Sequence, residues 1–215
     1  MHTIGIVGSG PEQHIPDLLS FKSKVDIWIG VDRGALTIIE SGLPLHDAVG
    51  DFDSVTKQEM VQIQQVASNF DKYLREKDQT DLEIAINKAL FMQTKRVYLF
   101  GITGGRLDHE FINVQQLLSF AKHEIKAYIV DDQNVIQLFY PGTYTINHDI
   151  QYPYISFIPF SQEVKGFTLK DFYYPLENET ITWGSTLCLS NELVSKRGTF
   201  LFREGILLVI KSRDS

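Results

Sequence analysis

The sequence contains a single cysteine, Cys188, so the chain cannot form an internal disulfide. It also lacks an N-terminal secretory signal and any apolar run approaching the ~20 residues that a membrane-spanning helix requires. No internal repeat or low-complexity tract interrupts it. We therefore predict a cytoplasmic protein with no membrane partner, in which Cys188 is a small buried hydrophobic residue.

Basic residues are scarce, because 20 lysines and arginines stand against 27 aspartates and glutamates. The formal net charge is -7 and the pI is near 5.3. An acidic chain is a poor default partner for nucleic acid, since attraction to phosphate requires a basic surface. The acidity is typical of a protein that recruits cations. With 215 residues and 43% hydrophobic content, the chain can bury one large core or two modest ones.

Two patterns divide the chain. Residues 1–131 alternate β-rich runs with helical patterns, and Thr56 with Glu59 predicts a capping box at the start of one helix. This alternation predicts an α/β domain with a mostly parallel, helix-covered sheet. Residues 132–215 carry short β-rich runs separated by turn residues, which predicts a C-terminal all-β sandwich domain.

Acidic residues follow four successive strands of the predicted sheet. They are Asp32 after the second strand, Asp51 and Asp53 after the third, Asp78 and Asp81 after the fourth, and Asp108 after the fifth. Because parallel strands end at one rim, where ligands bind, we expect these carboxylates to converge. Magnesium is the cation that such a group of carboxylates favours. Zinc is not expected, because the sequence has no cysteine pair or histidine cluster at ligand spacing. Asp32 and Asp78 could instead cap the helices that follow them.

A glycine-rich segment, Gly101–Arg106, lies between a predicted strand and a predicted helix at the same rim, and we call it the glycine loop. Its backbone amides and the helix N-terminus can meet an anion, Arg106 offers a planar fork for phosphate oxygens, and Lys77 can add a point charge. A plain tight turn is the alternative. His109 and Asn113, four residues apart on the helix, could contact substrate, cap the helix or pack.

Two further residues have no such context. His14 is predicted to be a surface residue, and Trp183 is predicted to belong to the core of the β domain.

The motifs, in their order along the chain, closely resemble the thiamine pyrophosphokinase family. The matching segments are Gly50-Asp51-Phe52-Asp53-Ser54, then Asp78-x-Thr80-Asp81, then Gly101-x-Thr103-Gly104-Gly105-Arg106-x-Asp108-His109-x-x-x-Asn113, and in the β domain Ser190-Asn191-Glu192. The resemblance covers nearly the whole chain. It implies transfer of an intact diphosphate from ATP to the hydroxyl of thiamine, by a homodimer that binds thiamine between the α/β domain of one subunit and the β domain of the other.

The resemblance also implies residue roles. Asp51, Asp53 and Asp81 would hold Mg²⁺, and Asp81 and Asp108 are the candidate catalytic residues, either of which could accept the hydroxyl proton. The candidate substrate-binding residues are Asp32, Lys77, Asp78, Thr80, Gly104, Gly105, Arg106, His109, Asn113, Ser190 and Asn191.

Two rival functions remain open at this point. The run Asp51-Phe52-Asp53-Ser54-Val55 also fits the motif of haloacid-dehalogenase-type phosphatases, although that motif usually follows a long apolar strand near the N-terminus. Alternatively, the protein could be a regulator that binds thiamine or a nucleotide without catalysis. The full set of acids argues against the regulator, because binding alone does not need all of them.

Overall fold

The structure is a computed structural model that describes residues 1–74, 76 and 78–214. The chain forms two compact units, Met1–Asp132 and Gln133–Ser215. The strands of the first unit are β1 (His2–Val7), β2 (Ile27–Val31), β3 (Asp47–Gly50), β4 (Asn69–Lys72), β5 (Thr94–Phe100) and β6 (Lys126–Val130). Its α-helices are α1 (Gly34–Glu40), α2 (Lys57–Val66), α3 (Asp81–Phe91), α4 (Leu107–Gln115) and α5 (Leu117–Lys122), and two short 3-10 helices span Glu12–His14 and Leu18–Phe21.

The six strands of the first unit are parallel and lie in the order β4-β3-β2-β1-β5-β6. Helix α1 packs on β1 and β2, α3 packs on the central strands, and α5 packs on β6. The central strands are buried on both faces, as expected for a parallel sheet covered by helices. The loops at the carboxyl ends of all six strands therefore lie at one rim, where the candidate residues are found.

Helix starts in this unit follow from local side-chain chemistry. Thr56 caps α2 with both bonds of the predicted capping box, because its hydroxyl accepts from the Glu59 N–H and the Glu59 carboxylate accepts from the Thr56 N–H. Thr80 caps α3 by accepting from the Glu83 N–H at 3.1 Å. The Glu83 carboxylate accepts from the Gln79 side chain, so Thr80 and Glu83 form only half of a capping box.

The second unit contains two antiparallel sheets. Its strands are β7 (Asn134–Phe139), β8 (Gly142–Asn147), β9 (Tyr154–Pro159), β10 (Glu163–Lys170), β11 (Leu176–Thr182), β12 (Arg197–Phe202) and β13 (Leu207–Ser212). One sheet has the order β7-β13-β9 and the other β11-β10-β12-β8. Side chains from both sheets form a single core cluster, which includes Phe157, Phe167 and Phe200. The predicted fold class is confirmed.

The exposure of two side chains in this unit tests the predictions made from the sequence: the one for Cys188 is confirmed and the one for Trp183 is wrong. Cys188 belongs to the core, and its burial raises the pKa of the thiol to about 11. Trp183 was expected in the core, but it follows directly after β11 and is 66% exposed. The prediction was wrong because β11 ends at Thr182, so Trp183 lies in the turn beyond the strand and does not continue the inward-facing row that contains Ile181. None of the helices in the described part of the chain has the length and apolar character that a membrane crossing requires.

Candidate active site

Three carboxylates meet at the rim of the parallel sheet. Asp32 follows β2, Asp51 follows β3 and Asp81 begins α3, and one oxygen from each lies within 4.8 Å of the others. The sequence predicted convergence at this rim, whereas the family resemblance implied Asp53, and not Asp32, as a metal ligand. Asp53 is exposed in the same loop and donates its N–H to the Asp51 carboxylate at 3.0 Å. Within the described residues, Asp53 is not part of the three-carboxylate group.

Backbone geometry brings Asp32 into this group. Asp32 and Phe52 both adopt positive φ, 49° and 58°, an uncommon conformation for residues other than glycine. The Asp32 carboxylate accepts from the Phe52 N–H at 3.0 Å. A Cβ at Gly50 would lie only 1.9 Å from Asp32 Oδ1, so only glycine admits that carboxylate. The ring of Phe52 is buried and stacks on Phe70, which anchors the turn that presents Asp51.

The electrostatics of the group favour a bound cation. Burial, together with repulsion from Asp81, Asp51 and Asp53, outweighs the Phe52 hydrogen bond and raises the pKa of Asp32 to about 6. A divalent cation would relieve that repulsion. Magnesium prefers carboxylate oxygens and commonly completes its shell with substrate phosphates. The donor set therefore fits the predicted magnesium ion.

A cavity of about 780 Å³ opens beside these acids and is lined by the candidate phosphate-binding residues Gly105 and Arg106. Asp32 and Asp81 line the same cavity. The structure therefore brings the predicted metal and phosphate elements to one place. Lys77, predicted as a phosphate contact, lies outside the described residues.

Arg106 and Asp108 form a paired contact at the start of α4. The guanidinium donates to the Asp108 carboxylate through Nε at 3.1 Å and Nη2 at 2.5 Å. The hydrogen bond from Arg106 lowers the pKa of the Asp108 carboxyl, although both side chains are largely exposed. A guanidinium has further N–H donors, so Arg106 can hold Asp108 and still meet phosphate oxygens.

The remaining candidates of the first unit differ in their environment. Asn113 is buried, and its side chain donates to the Ile102 carbonyl at 2.8 Å, which fastens the glycine loop to α4. Asp78, Thr80 and His109 all line the cavity and are exposed. Thr80 already caps α3 through its hydroxyl.

The two candidates of the second unit lie in a turn after β11. Ser190 is exposed with a positive φ of 50°, and its N–H donates to the Ser156 hydroxyl. Asn191 is 1% exposed. Its carboxamide accepts from the N–H groups of Tyr174 and Glu192 and donates to the Tyr174 carbonyl. In this unit Asn191 therefore shapes the segment around Ser190.

Family models match both units. Residues 18–129 match the thiamin pyrophosphokinase catalytic domain, and residues 143–207 match the thiamin pyrophosphokinase vitamin B1 binding domain. The chain belongs to the thiamine pyrophosphokinase family. It is 49% identical, over the full length of both chains, to the thiamine pyrophosphokinase of Bacillus subtilis (strain 168). These matches confirm the resemblance seen in the motifs.

Solved structures of the thiamine pyrophosphokinase family share the fold. The crystal structure of the Bacillus subtilis protein matches with a TM-score of 0.94, covering 99% of this chain and 100% of the other. The Geobacillus thermodenitrificans protein, 47% identical, matches with a TM-score of 0.89 over 99% of this chain and 98% of its own.

The sequence analysis did not identify three residues that lie behind the glycine loop of this thiamine pyrophosphokinase family member: His14, Asp131 and Asp132. Asp131 accepts from the Thr103 hydroxyl at 2.8 Å, and Asp132 lies 3.2 Å from His14 Nδ1. The two acids follow β6, so the rule that located the other rim acids would have found them. His14, expected to be an isolated surface residue, is only partly exposed, and no local pattern predicts its contact with a residue 118 positions away.

Proposed function

We propose that the protein is a thiamine pyrophosphokinase, which transfers a diphosphate group from ATP to the hydroxyl of thiamine and releases AMP. One observation carries the proposal: Asp32, Asp51 and Asp81 gather beside the glycine loop, at a cavity large enough for a nucleotide. Membership of the family supports thiamine as the acceptor.

Different residues at the rim of the sheet would bind the metal ion and the phosphates of ATP. Asp32, Asp51 and Asp81 would hold Mg²⁺, with the Asp53 charge close by. Bound there, Mg²⁺ would neutralise charge on the phosphates during transfer. The backbone amides of Gly104 and Gly105 and the guanidinium of Arg106 would bind phosphate oxygens. Transfer of this kind depends mainly on positioning and charge neutralisation, which these residues provide.

The chemical step conserves every atom of the two substrates. The thiamine oxygen forms a bond to the β-phosphorus, the bond from that phosphorus to the bridging α-phosphate oxygen breaks, and AMP departs with the bonding electrons. The hydroxyl proton passes to a carboxylate. Of the two predicted acceptors, Asp108 is bound to Arg106 and its pKa is lowered, which weakens it as a base. Asp81 lines the cavity, and we assign the proton to the Asp81 carboxylate oxygen that would not hold Mg²⁺.

We further propose that the active form is a homodimer in which Ser190 contacts thiamine bound to the other subunit. Helix α4 supports this, because Leu107 and Phe111 are each 69% exposed beside the Arg106 end of the cavity. Leu107 and Phe111 lie four residues apart on one face of α4, and apolar side chains that are exposed side by side are typical of an interaction surface. The acidic chain also suits a cationic thiazolium substrate.

The direct test is to measure AMP release from ATP with and without thiamine and with and without Mg²⁺. We expect AMP only when both are present, together with thiamine diphosphate. Inorganic phosphate released regardless of thiamine would favour a phosphohydrolase. Binding of thiamine or ATP without any turnover would favour a regulator.

Replacing Ser190 with alanine should raise the KM for thiamine by roughly ten-fold and leave the KM for ATP unchanged, because one hydrogen bond to thiamine is lost. The positive φ of Ser190 should not confound the result, since serine and alanine tolerate it about equally. Ser195→Ala is the matched control, because Ser195 is also exposed in the second unit and, among the described residues, its hydroxyl bonds to Arg197 in its own turn. Equal changes in both KM values would remove Ser190 from the thiamine site.

A further inference from the structure

The glycine loop is fastened from behind by two consecutive acids that follow β6. Asp131 is 6% exposed and accepts from the Thr103 hydroxyl. Asp132 contacts His14 twice, since its carboxylate lies 3.2 Å from His14 Nδ1 and its N–H donates to the His14 carbonyl at 3.1 Å. One acid thus holds the loop directly, and the other holds a histidine.

The ring of His14 lies against the loop at Gly104. A Cβ at Gly104 would come within 2.4 Å of His14 Cδ2 and 3.2 Å of Nε2. The edge of the imidazole opposite Nδ1 therefore touches the backbone of the loop, while Asp132 fixes the other side of the ring. Gly104 has a positive φ of 82°, so the ring abuts a conformation that glycine adopts without strain.

The other anchors that the described residues provide hold the first half of the loop. The Gly101 carbonyl accepts from the Gly10 N–H, and the Ile102 carbonyl accepts from Asn113. At Gly105 the nearest atom of the described residues to an added Cβ is Pro11 Cδ, 3.9 Å away, so the packing there is loose. His14 thus packs directly on Gly104, the first of the glycines assigned to the phosphates.

We propose that His14, held by Asp132, is a positioning residue for the glycine loop and sets the affinity for the triphosphate of ATP without contacting thiamine. The inference rests on the proposed function, which assigns this loop to the phosphates. Without the ring, the backbone of Gly104 loses the side chain that packs against it, and this part of the loop becomes more mobile. The binding of ATP must then order the backbone of Gly104 and Gly105. That ordering should weaken nucleotide binding by roughly ten-fold.

The test measures Mg²⁺-dependent binding of α,β-methylene-ATP, an analogue whose α–β linkage cannot be cleaved, by titration calorimetry. His14→Ala should raise its Kd about ten-fold and leave the KM for thiamine unchanged. Gly104→Ala should also weaken binding, because its methyl collides with the ring. In the double variant the methyl enters the space that the ring has left, so its Kd should be lower than the two single effects predict together.

Gly42→Ala is the matched control, since Gly42 also has a positive φ, 68°, but no atom in the described part of the chain lies within 4 Å of an added Cβ. It carries the same backbone strain and should leave the Kd unchanged. Asp132→Asn is a milder second variant, expected to weaken binding less than His14→Ala. Thermal unfolding checks that each variant is folded.

Three results would overturn the role of His14: an unchanged Kd in His14→Ala, equal effects on nucleotide and thiamine, or simple additivity in the double variant. If the wild type forms thiamine diphosphate and AMP, any of these results removes only the His14 inference. If the wild type neither binds the analogue nor forms AMP, the proposed function fails and the inference fails with it.

Discussion

Replacing Asp51 with asparagine should reduce Mg²⁺-dependent AMP formation by roughly a thousand-fold or more. The reason is that Asp51 supplies one of three carboxylates whose oxygens lie within 4.8 Å of one another. An amide at this position keeps the shape of the side chain but removes a charge that should hold the cation. Steady-state AMP release and calorimetric titration with Mg²⁺ measure the two effects separately.

The same variant should fold as stably as the wild type, or more stably, when no divalent cation is present. Repulsion from Asp51 is among the causes that raise the pKa of Asp32 to about 6, so removing this charge relieves strain in the folded state. Loss of activity without loss of stability is typical of a binding site. Asp17→Asn is the matched control, because Asp17 is exposed, caps a 3-10 helix, and can be replaced by an equally good cap.

The Asp53→Asn variant distinguishes between two possible roles of Asp53 at the metal site. If Asp53 binds the ion directly, as the sequence predicted, Asp53→Asn should lower turnover as severely as Asp51→Asn. If it acts only through its field, the loss should be roughly ten-fold, because an exposed charge is well screened. Normal turnover with unchanged Mg²⁺ dependence in Asp51→Asn would contradict the metal assignment altogether.

Sequence patterns sufficed for the architecture because each one has a local cause. Buried parallel strands read as short apolar runs, and a capping residue such as Thr56 marks where a helix begins. The convergence of acids also followed from sequence, since parallel strands must all end at one rim. These arguments need only the order of elements along the chain.

The finer geometry of the site depends on tertiary contacts that no local pattern reports. Asp32 joins the carboxylate group through positive φ angles at Asp32 and Phe52 and through the space left by Gly50. The family resemblance implied Asp53 because it shares a motif with Asp51, but residues close in sequence need not point to the same place. His14 was missed for the same reason, because its partners Gly104 and Asp132 are distant in sequence.

A second large effect is expected at Lys88 of α3, whose ammonium group contacts the carboxylates of Asp47 and Asp71. The Asp47 side chain is only 3% exposed. Burial alone would lower the pKa of Lys88, but hydrogen bonds and attraction to the two carboxylates outweigh it and raise that pKa. Lys88→Met would leave the Asp47 charge buried without this partner. We expect the free energy of unfolding to fall by about 3 kcal/mol, measured by urea denaturation.

Lys165→Met is the matched control, since Lys165 also contacts two carboxylates, those of Glu163 and Glu204, but lies on the surface. Its loss should barely change the urea midpoint. Asp47→Asn combined with Lys88→Met should recover part of the lost stability, because a neutral amide needs no charged partner. Lys88 joins the helix that begins at Asp81 to the strand that leads to Asp51. If Lys88→Met unfolds at the same urea concentration as Lys165→Met, the contacts of Lys88 with Asp47 and Asp71 do not stabilise the fold.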